Sequence, residues 1–231
     1  LVVLVCRTGE EKGGKGVSNY AWFIGISGTP LCEYYLRTGD KSVLPVIQAM
    51  ADYARANQTR GGWAGRGGQA SVTYGGGGGH LNAGGTAVVG FLCLAKECGV
   101  KVDERTLQSA IAHFYRFAGR GSNPYGDNRP ETGFVDNGKN GNLALAMAAA
   151  ASLTPDGQGS IYARASEAAA MSGYYNTSFM LHGHTGGGIG EVWRSAAMGL
   201  LYDKAPTKYR DFMASRQWIY ELSRRWTGSF G

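Results

Sequence analysis

The chain has 231 residues, a formal net charge of +6, and 38 glycines against 6 prolines, where glycine usually makes up about 7 % of a sequence. Hydrophobic residues at 43 % and aromatics at 11 % are ample for a packed core and exclude intrinsic disorder. The lack of a three-residue glycine period excludes collagen, and no apolar run approaches the roughly 18 residues of a membrane span.

In chain order, residues 1–9 (LVVLVCRTG) read as the last turns of a helix ended by Gly9. Residue 1 is Leu rather than Met and no signal peptide is visible, so the chain is expected to be part of a longer protein. Residues 9–15 (GEEKGGK) match the spacing of a phosphate-binding loop, but Gly16 stands where Ser or Thr would hold Mg²⁺. They read as a solvated connection instead. Val43, Val46, Ile47, Met50, Ala51 and Ala54 form one helical stripe, and Leu107, Ala110, Ile111, Phe114 and Ala118 a second. Phe212, Met213, Ile219 and Tyr220 suggest a third, interrupted by Arg216. Between them lie runs with no polar face: 87–95 (AVVGFLCLA), 143–151 (LALAMAAAA) and 195–201 (SAAMGLL). A helix without a polar side is buried all round.

Short turns are expected near Gly39 and Asp40, at 99–103, at 154–157 and at 204–206. Asp40 and Asp103 stand where helix N-caps belong, and Pro206 suits a first helical turn. The pattern is a buried helix, a turn, an amphipathic helix and a long glycine-rich loop, repeated. The fold class is therefore all-α, with about four helical hairpins in a single domain over residues 1–231. An α/α toroid, with an inner ring of helices inside an outer one, accounts for the alternation; a solenoid of stacked pairs is the competing arrangement.

The cysteines (Cys6, Cys32, Cys93, Cys98) form no CxxC pair, and three of the four sit in apolar runs where a small buried thiol is the ordinary outcome. The basic stretch 210–225 also carries Asp211 and Glu221 and reads as a solvated helix face. Neither a nucleic-acid nor a membrane partner is expected.

The long loops all precede buried helices, so a toroid gathers them at one rim. The first, 61–85, holds 12 glycines in 25 residues and presents Trp63, Arg66, Tyr74, His80 and Asn82. The second, 119–142, concentrates Asp127, Arg129, Glu131 and Asp136 beside Tyr125. The third, 182–194, offers His182, His184, Thr185, Glu191, Trp193 and Arg194. Polar residues spaced by glycine at a cavity mouth mark a site. His80, Asp127, Asp136, His182, His184 and Glu191 are the candidate catalytic residues. Trp63, Arg66, Tyr74, Asn82, Arg129, Trp193 and Arg194 are the candidates for binding substrate.

Each has a structural rival. Paired carboxylates among Asp127, Glu131, Asp136 and Glu191 would serve a glycoside hydrolase, while an Asp127–Arg129–Glu131 network would only brace its loop. A His or Tyr base, with an Arg neutralising a substrate carboxylate, would suit a polysaccharide lyase. No cofactor is implied. A metal at His80, His182 and His184, with a carboxylate such as Asp136, lacks a supporting spacing. Trp63 and Trp193 would stack on sugar rings or anchor their loops. His113, on an amphipathic helix, reads as structural. GGGIG at 186–190 is not followed by a βαβ pattern, which excludes a dinucleotide fingerprint.

The GGW motif at 61–63 and the glycine-rich loops before buried helices resemble the α/α-toroid superfamily of terpenoid cyclases and protein prenyltransferases. GVSNYAWFIG, YGGGGGHLNAGGT, NPYGDNRPETGFVDNGK and HGHTGGGIGEVWRSAAMGLL are similar to an uncharacterised bacterial, planctomycete-type branch of it, over nearly the whole chain. Members of that branch are longer, and it lends no catalytic residue. The DxDD motif of triterpene cyclases is absent, and so is a loop Cys beside His and Asp of the prenyltransferase type. A rim of Gly, His, Arg and carboxylate points to a polar substrate. The expected function is an enzyme, a hydrolase or lyase, acting on a small polar molecule or glycan, with further hairpins or a partner subunit completing the ring. The alternative is a non-catalytic binding or assembly domain whose polar loops are structural.

Overall fold

The computed structural model describes residues 21–64, 80–130, 135–136, 139–178 and 189–228. The readings of 1–9, of 9–15 and of Cys6 lie outside the described residues. Within them the fold is all-α. The helices are α1 (Ala21–Thr38), α2 (Leu44–Asn57), α3 (Asn82–Glu97), α4 (Glu104–Tyr115), α5 (Lys139–Ser152), α6 (Ile161–Tyr175), α7 (Ile189–Gly199) and α8 (Pro206–Ser223).

The turns fall where local chemistry demands them. Gly39 ends α1 at φ 71° and its N–H donates to the Tyr35 carbonyl at 2.7 Å. Asp40 then accepts from the Ser42 N–H at 2.9 Å. Asp103 caps α4 by accepting from the Thr106 N–H at 2.8 Å and its hydroxyl at 2.7 Å. Ser160 caps α6 through the Ala163 N–H, and Pro206 opens α8. These side chains satisfy backbone donors that the first helical turn leaves open.

α1 packs on α3, α3 on α5 and α5 on α7, while α2, α4, α6 and α8 lie against this row as a second layer. The stripes read from the sequence face inward: Val43, Ile47, Met50, Ala51 and Ala54 are buried, as are Leu107, Ala110, Ile111 and Phe114. α3 is buried at every position from Asn82 to Val89. Its approach to α1 requires Gly25, where an added Cβ would lie 2.4 Å from Ala87 Cβ. Some of the glycine excess thus serves helix contact rather than loops.

Two readings change in detail. The run 195–201 is one-sided: Ala197, Met198 and Leu201 are buried, but Ala196 and Gly199 are exposed, and so is Val192 one turn earlier. Only the side of α7 toward α5, α6 and α8 is covered among the described residues. The Arg216 interruption of the α8 stripe also has a cause. Its guanidinium lies 4.1 Å from the centre of the Phe212 ring and donates to Glu191 Oε1 at 2.8 Å.

Cys32, Cys93 and Cys98 are buried free thiols, as expected, and burial pushes Cys93 up to about 12. Among the described residues no helix is long and apolar enough to cross a membrane.

The segments preceding α3, α5 and α7 are joined by backbone pairing. Ala64 pairs with His80 and Leu81 with Gly126, each antiparallel. A two-residue parallel pair sets Val135 beside Thr177 and Asp136 beside Ser178. The described parts of the first two long loops and the segment that follows α6 therefore run side by side at the same end of the helices.

Candidate functional site

The site begins with a tight turn. Thr59 and Gly62 exchange both backbone hydrogen bonds, at 2.9 and 3.0 Å, with Arg60 at φ 50° and Gly61 at φ 84° between them. Two consecutive positive φ values define the turn that suits hairpins, and Arg60 is the one non-glycine residue in that region among the described residues. Such strain persists only where surroundings enforce it. Trp63 does so here: it is 2 % exposed and its indole N–H donates to the Ala54 carbonyl at 2.8 Å. Trp63 is therefore the loop anchor and presents no face to a sugar.

The anchored turn faces two histidines. His113, on α4, places Nδ1 3.1 Å from the Arg60 carbonyl. A carbonyl only accepts, so Nδ1 carries the proton and Nε2 is the bare nitrogen. His80 enters from the end of the first loop with Nε2 2.8 Å from the Thr59 hydroxyl, which leaves Nδ1 as its inward atom. Gly62 lies flat against this ring; a Cβ there would stand 2.8 Å from His80 Nδ1. The two rings meet edge to face with centroids 5.2 Å apart.

Both inward nitrogens point at Asp127. His80 Nδ1 lies 3.3 Å from its Oδ2, and His113 Nε2 lies 3.9 Å from its Oδ1. The Arg116 guanidinium pairs with Oδ1 and also lies 3.4 Å from His113 Nε2. Asn82 steadies the Asp127 segment: its side-chain amide donates to the Gly126 carbonyl at 2.9 Å, next to the Leu81–Gly126 pairing. Burial, helped by Arg116, pulls the His113 pKa down to about 4, against the opposing pull of Asp127. His113 is thus a neutral imidazole at neutral pH.

Beyond the cluster lies a cleft of about 510 Å³. Its walls carry Arg116, Arg120 and Arg129 beside Asp127, Asn128 and the Phe117 ring. Among the described residues Asp127 is the single carboxylate on this wall. Neither Arg120 nor Arg129 has a carboxylate partner among the described residues.

A family model described as a domain of unknown function, DUF6288, matches residues 7–231. The chain belongs to this family. No curated protein and no solved structure matches it.

Of the residues singled out in the sequence, this DUF6288 chain sets Asp127 and Arg129 on one cleft and buries His80 and Asn82 behind Asp127. Asp127 takes its ionic partners from His80, His113 and Arg116 rather than from Arg129. Glu191, Trp193 and Arg194 sit elsewhere, on α7. Arg194 is 1 % exposed and donates to the Gly173 carbonyl at 2.6 and 3.2 Å and to the Asn176 carbonyl at 2.8 Å. Glu191 faces Arg216 and, at 3.7 Å, Arg194. These side chains clamp α7 to α6 and α8 and leave nothing aimed at the cleft. The backbone of Asp136 is in the short parallel pair, with its side chain outside the described residues. Arg66, Tyr74, His182, His184 and Glu131 also lie outside them.

The sequence alone made His113 structural and did not single out Arg116 or Arg120. His113 flanks the buried stripe of Ala110, Ile111 and Phe114, so it borders a protein contact rather than open water. A histidine three residues before an arginine at that border was the available signal.

Proposed function

We propose that the two helix rows belong to an α/α toroid, and that the chain is an enzyme acting on an anionic, carbohydrate-like substrate by hydrolysis or elimination. The observation that carries this reading is the cleft: among the described residues, three guanidinium groups and one carboxylate, the carboxylate itself held against the imidazoles of His80 and His113. Guanidinium forks recognise carboxylates in bidentate fashion and keep their charge at any working pH. A uronate, a sugar carrying a carboxylate, matches such walls, and Phe117 offers an apolar surface to the ring. Pairing its carboxylate with Arg120 and Arg129 would acidify the neighbouring C–H, which is what elimination needs. Hydrolysis instead needs an activated water. Both demands fall on the His80–Asp127–His113 cluster at the cleft wall. The alternation of buried and amphipathic helices, and the side-by-side segments before α3, α5 and α7, support the toroid.

The test incubates the protein with a panel of uronate polysaccharides and their neutral counterparts. Unsaturated uronate, read by its ultraviolet absorbance, reports elimination; new reducing ends without that absorbance report hydrolysis. Activity on an acidic member, lost in an Arg120→Ala, Arg129→Ala double variant, is the expected result. Binding without turnover would favour the alternative, a binding domain. Binding that ignores the double substitution would overturn the role of the cleft.

A further inference from the structure

The geometry of the cluster points beyond acid–base work. Each histidine is tethered through one nitrogen, His80 by Thr59 and His113 by the Arg60 carbonyl, so that the other nitrogen is aimed at Asp127. This is how protein metal sites orient their imidazoles: a hydrogen bond on the outer nitrogen fixes the tautomer and turns the inner one to the ion. The ligand atoms of His80, His113 and Asp127 all lie within 4.8 Å of one another. Bonds of about 2.1 Å hold neighbouring ligand atoms of a tetrahedral site roughly 3.4 Å apart, and His80 Nδ1 already stands 3.3 Å from Asp127 Oδ2.

A second observation is independent of that spacing. His80 is 1 % exposed, and its Nδ1 is buried with no hydrogen-bond partner among the described residues. A buried polar atom left unmatched costs free energy and calls for an explanation. An ion seated between Nδ1, His113 Nε2 and the Asp127 carboxylate would match it. Arg116 stands where the positive charge of the ion would be. Its side chain is 46 % exposed, so it can swing into the cleft and release Asp127.

We infer that His80 Nδ1, His113 Nε2 and Asp127 form a three-ligand site for a divalent transition-metal ion of the Zn²⁺ class, with its remaining positions open to the cleft. Two imidazoles and a carboxylate are a donor set for a catalytic rather than a structural ion. A water bound there loses a proton near neutral pH, and the resulting hydroxide is the base or nucleophile that the proposed reaction needs. The inference rests on the functional reading for its substrate but not for its ion, so the two are tested apart.

The experiment strips the full chain with chelator and titrates it with Co²⁺ and Zn²⁺ alone, with no glycan present. It reads heat, visible cobalt absorption and bound metal per chain. One equivalent, with the spectrum of a nitrogen–oxygen site of low coordination, is expected. Asp127→Asn should weaken binding by a hundredfold or more, and Thr59→Val, which only frees the outer nitrogen of His80, by about tenfold. Arg116→Ala keeps every ligand and removes the competing cation, so it should bind more tightly. That variant decides the matter if Asp127→Asn fails to fold. No cobalt spectrum, or an affinity that follows a His182→Ala, His184→Ala double variant instead of Asp127→Asn and Arg116→Ala, would overturn the inference. Uronate binding to the stripped protein would still stand or fall by its own measurement.

Discussion

Two buried charged clusters stand on different hairpins, one around Asp127 by α3 and α4 and one around Arg194 on α7, and their accounts differ. Around Arg194 the charged groups are tied to the fold itself. Its guanidinium ties the carbonyls of Gly173 and Asn176 at the end of α6, and Glu191 receives Arg216 from α8. Around Asp127 the groups are positioned but not spent: His80 Nδ1 is unmatched, Arg116 is half-exposed, and the cleft opens beside it. Charged groups tied to backbone carbonyls and to neighbouring helices rigidify a fold, whereas a buried unmatched polar atom beside a cavity marks a place that awaits a ligand. The lesson is that residue type did not separate these clusters. What stands beside them did: backbone carbonyls and neighbouring helices in one case, an open cleft in the other.

The sharpest way to break the comparison is to remove the bracing side. Arg194→Ala would leave three backbone bonds unmade and weaken the charge balance around Glu191, which is itself buried. Breaking a buried pair from one side costs about 3–5 kcal/mol. Urea denaturation should show that loss, with cobalt affinity of the remaining folded protein unchanged. A shift below about 1 kcal/mol would mean that the α7 cluster is no more structural than the one around Asp127.

The fold was legible because its signals are local. Gly39 with Asp40, Gly99 with Asp103, and Pro206 each punctuate the chain within a few residues, and the two-layer order follows from which helices lack a polar face. His80 and Asp127 were legible as polar residues in loops bound for one rim. His113 was not. Its meaning depends on Arg60, Thr59 and Asp127, which stand at sequence distances that no helical period records. Its own helix offered only the null message of an amphipathic edge. Glu191 and Arg194 misled for the same reason: a charge beside glycine looks alike in sequence whether its partners are backbone carbonyls or a substrate.

A smaller perturbation sharpens the comparison from within the site. Gly62→Ala would place a methyl group 2.8 Å from His80 Cγ and Nδ1, closer than carbon contacts allow, so the ring or the turn must move. Overpacking of this kind costs about 1–3 kcal/mol. The same shift would turn Nδ1 away from Asp127, so cobalt affinity should fall together with the denaturation midpoint. Gly159→Ala is the matching control, since nothing lies within 4 Å of a Cβ there; it should leave both readings in place. If Gly62→Ala lowers stability and spares the metal, His80 is packed by the turn without being aimed by it.

The smallest effect on stability is the most telling one. Arg116 is half-exposed, so water screens it and can take its place at the largely buried Asp127, and Arg116→Ala should move the denaturation midpoint least, by about 1 kcal/mol or less. In a bracing cluster that would be the end of its influence. Here the same substitution frees Asp127 Oδ1 and removes a positive charge from the place an ion would take. Metal affinity should therefore rise while stability stays level, and substrate affinity should fall because one wall of the cleft has lost a guanidinium. A change in all three readings in the same direction would assign Arg116 the bracing role that Arg194 plays on α7, and the difference between the two clusters would vanish.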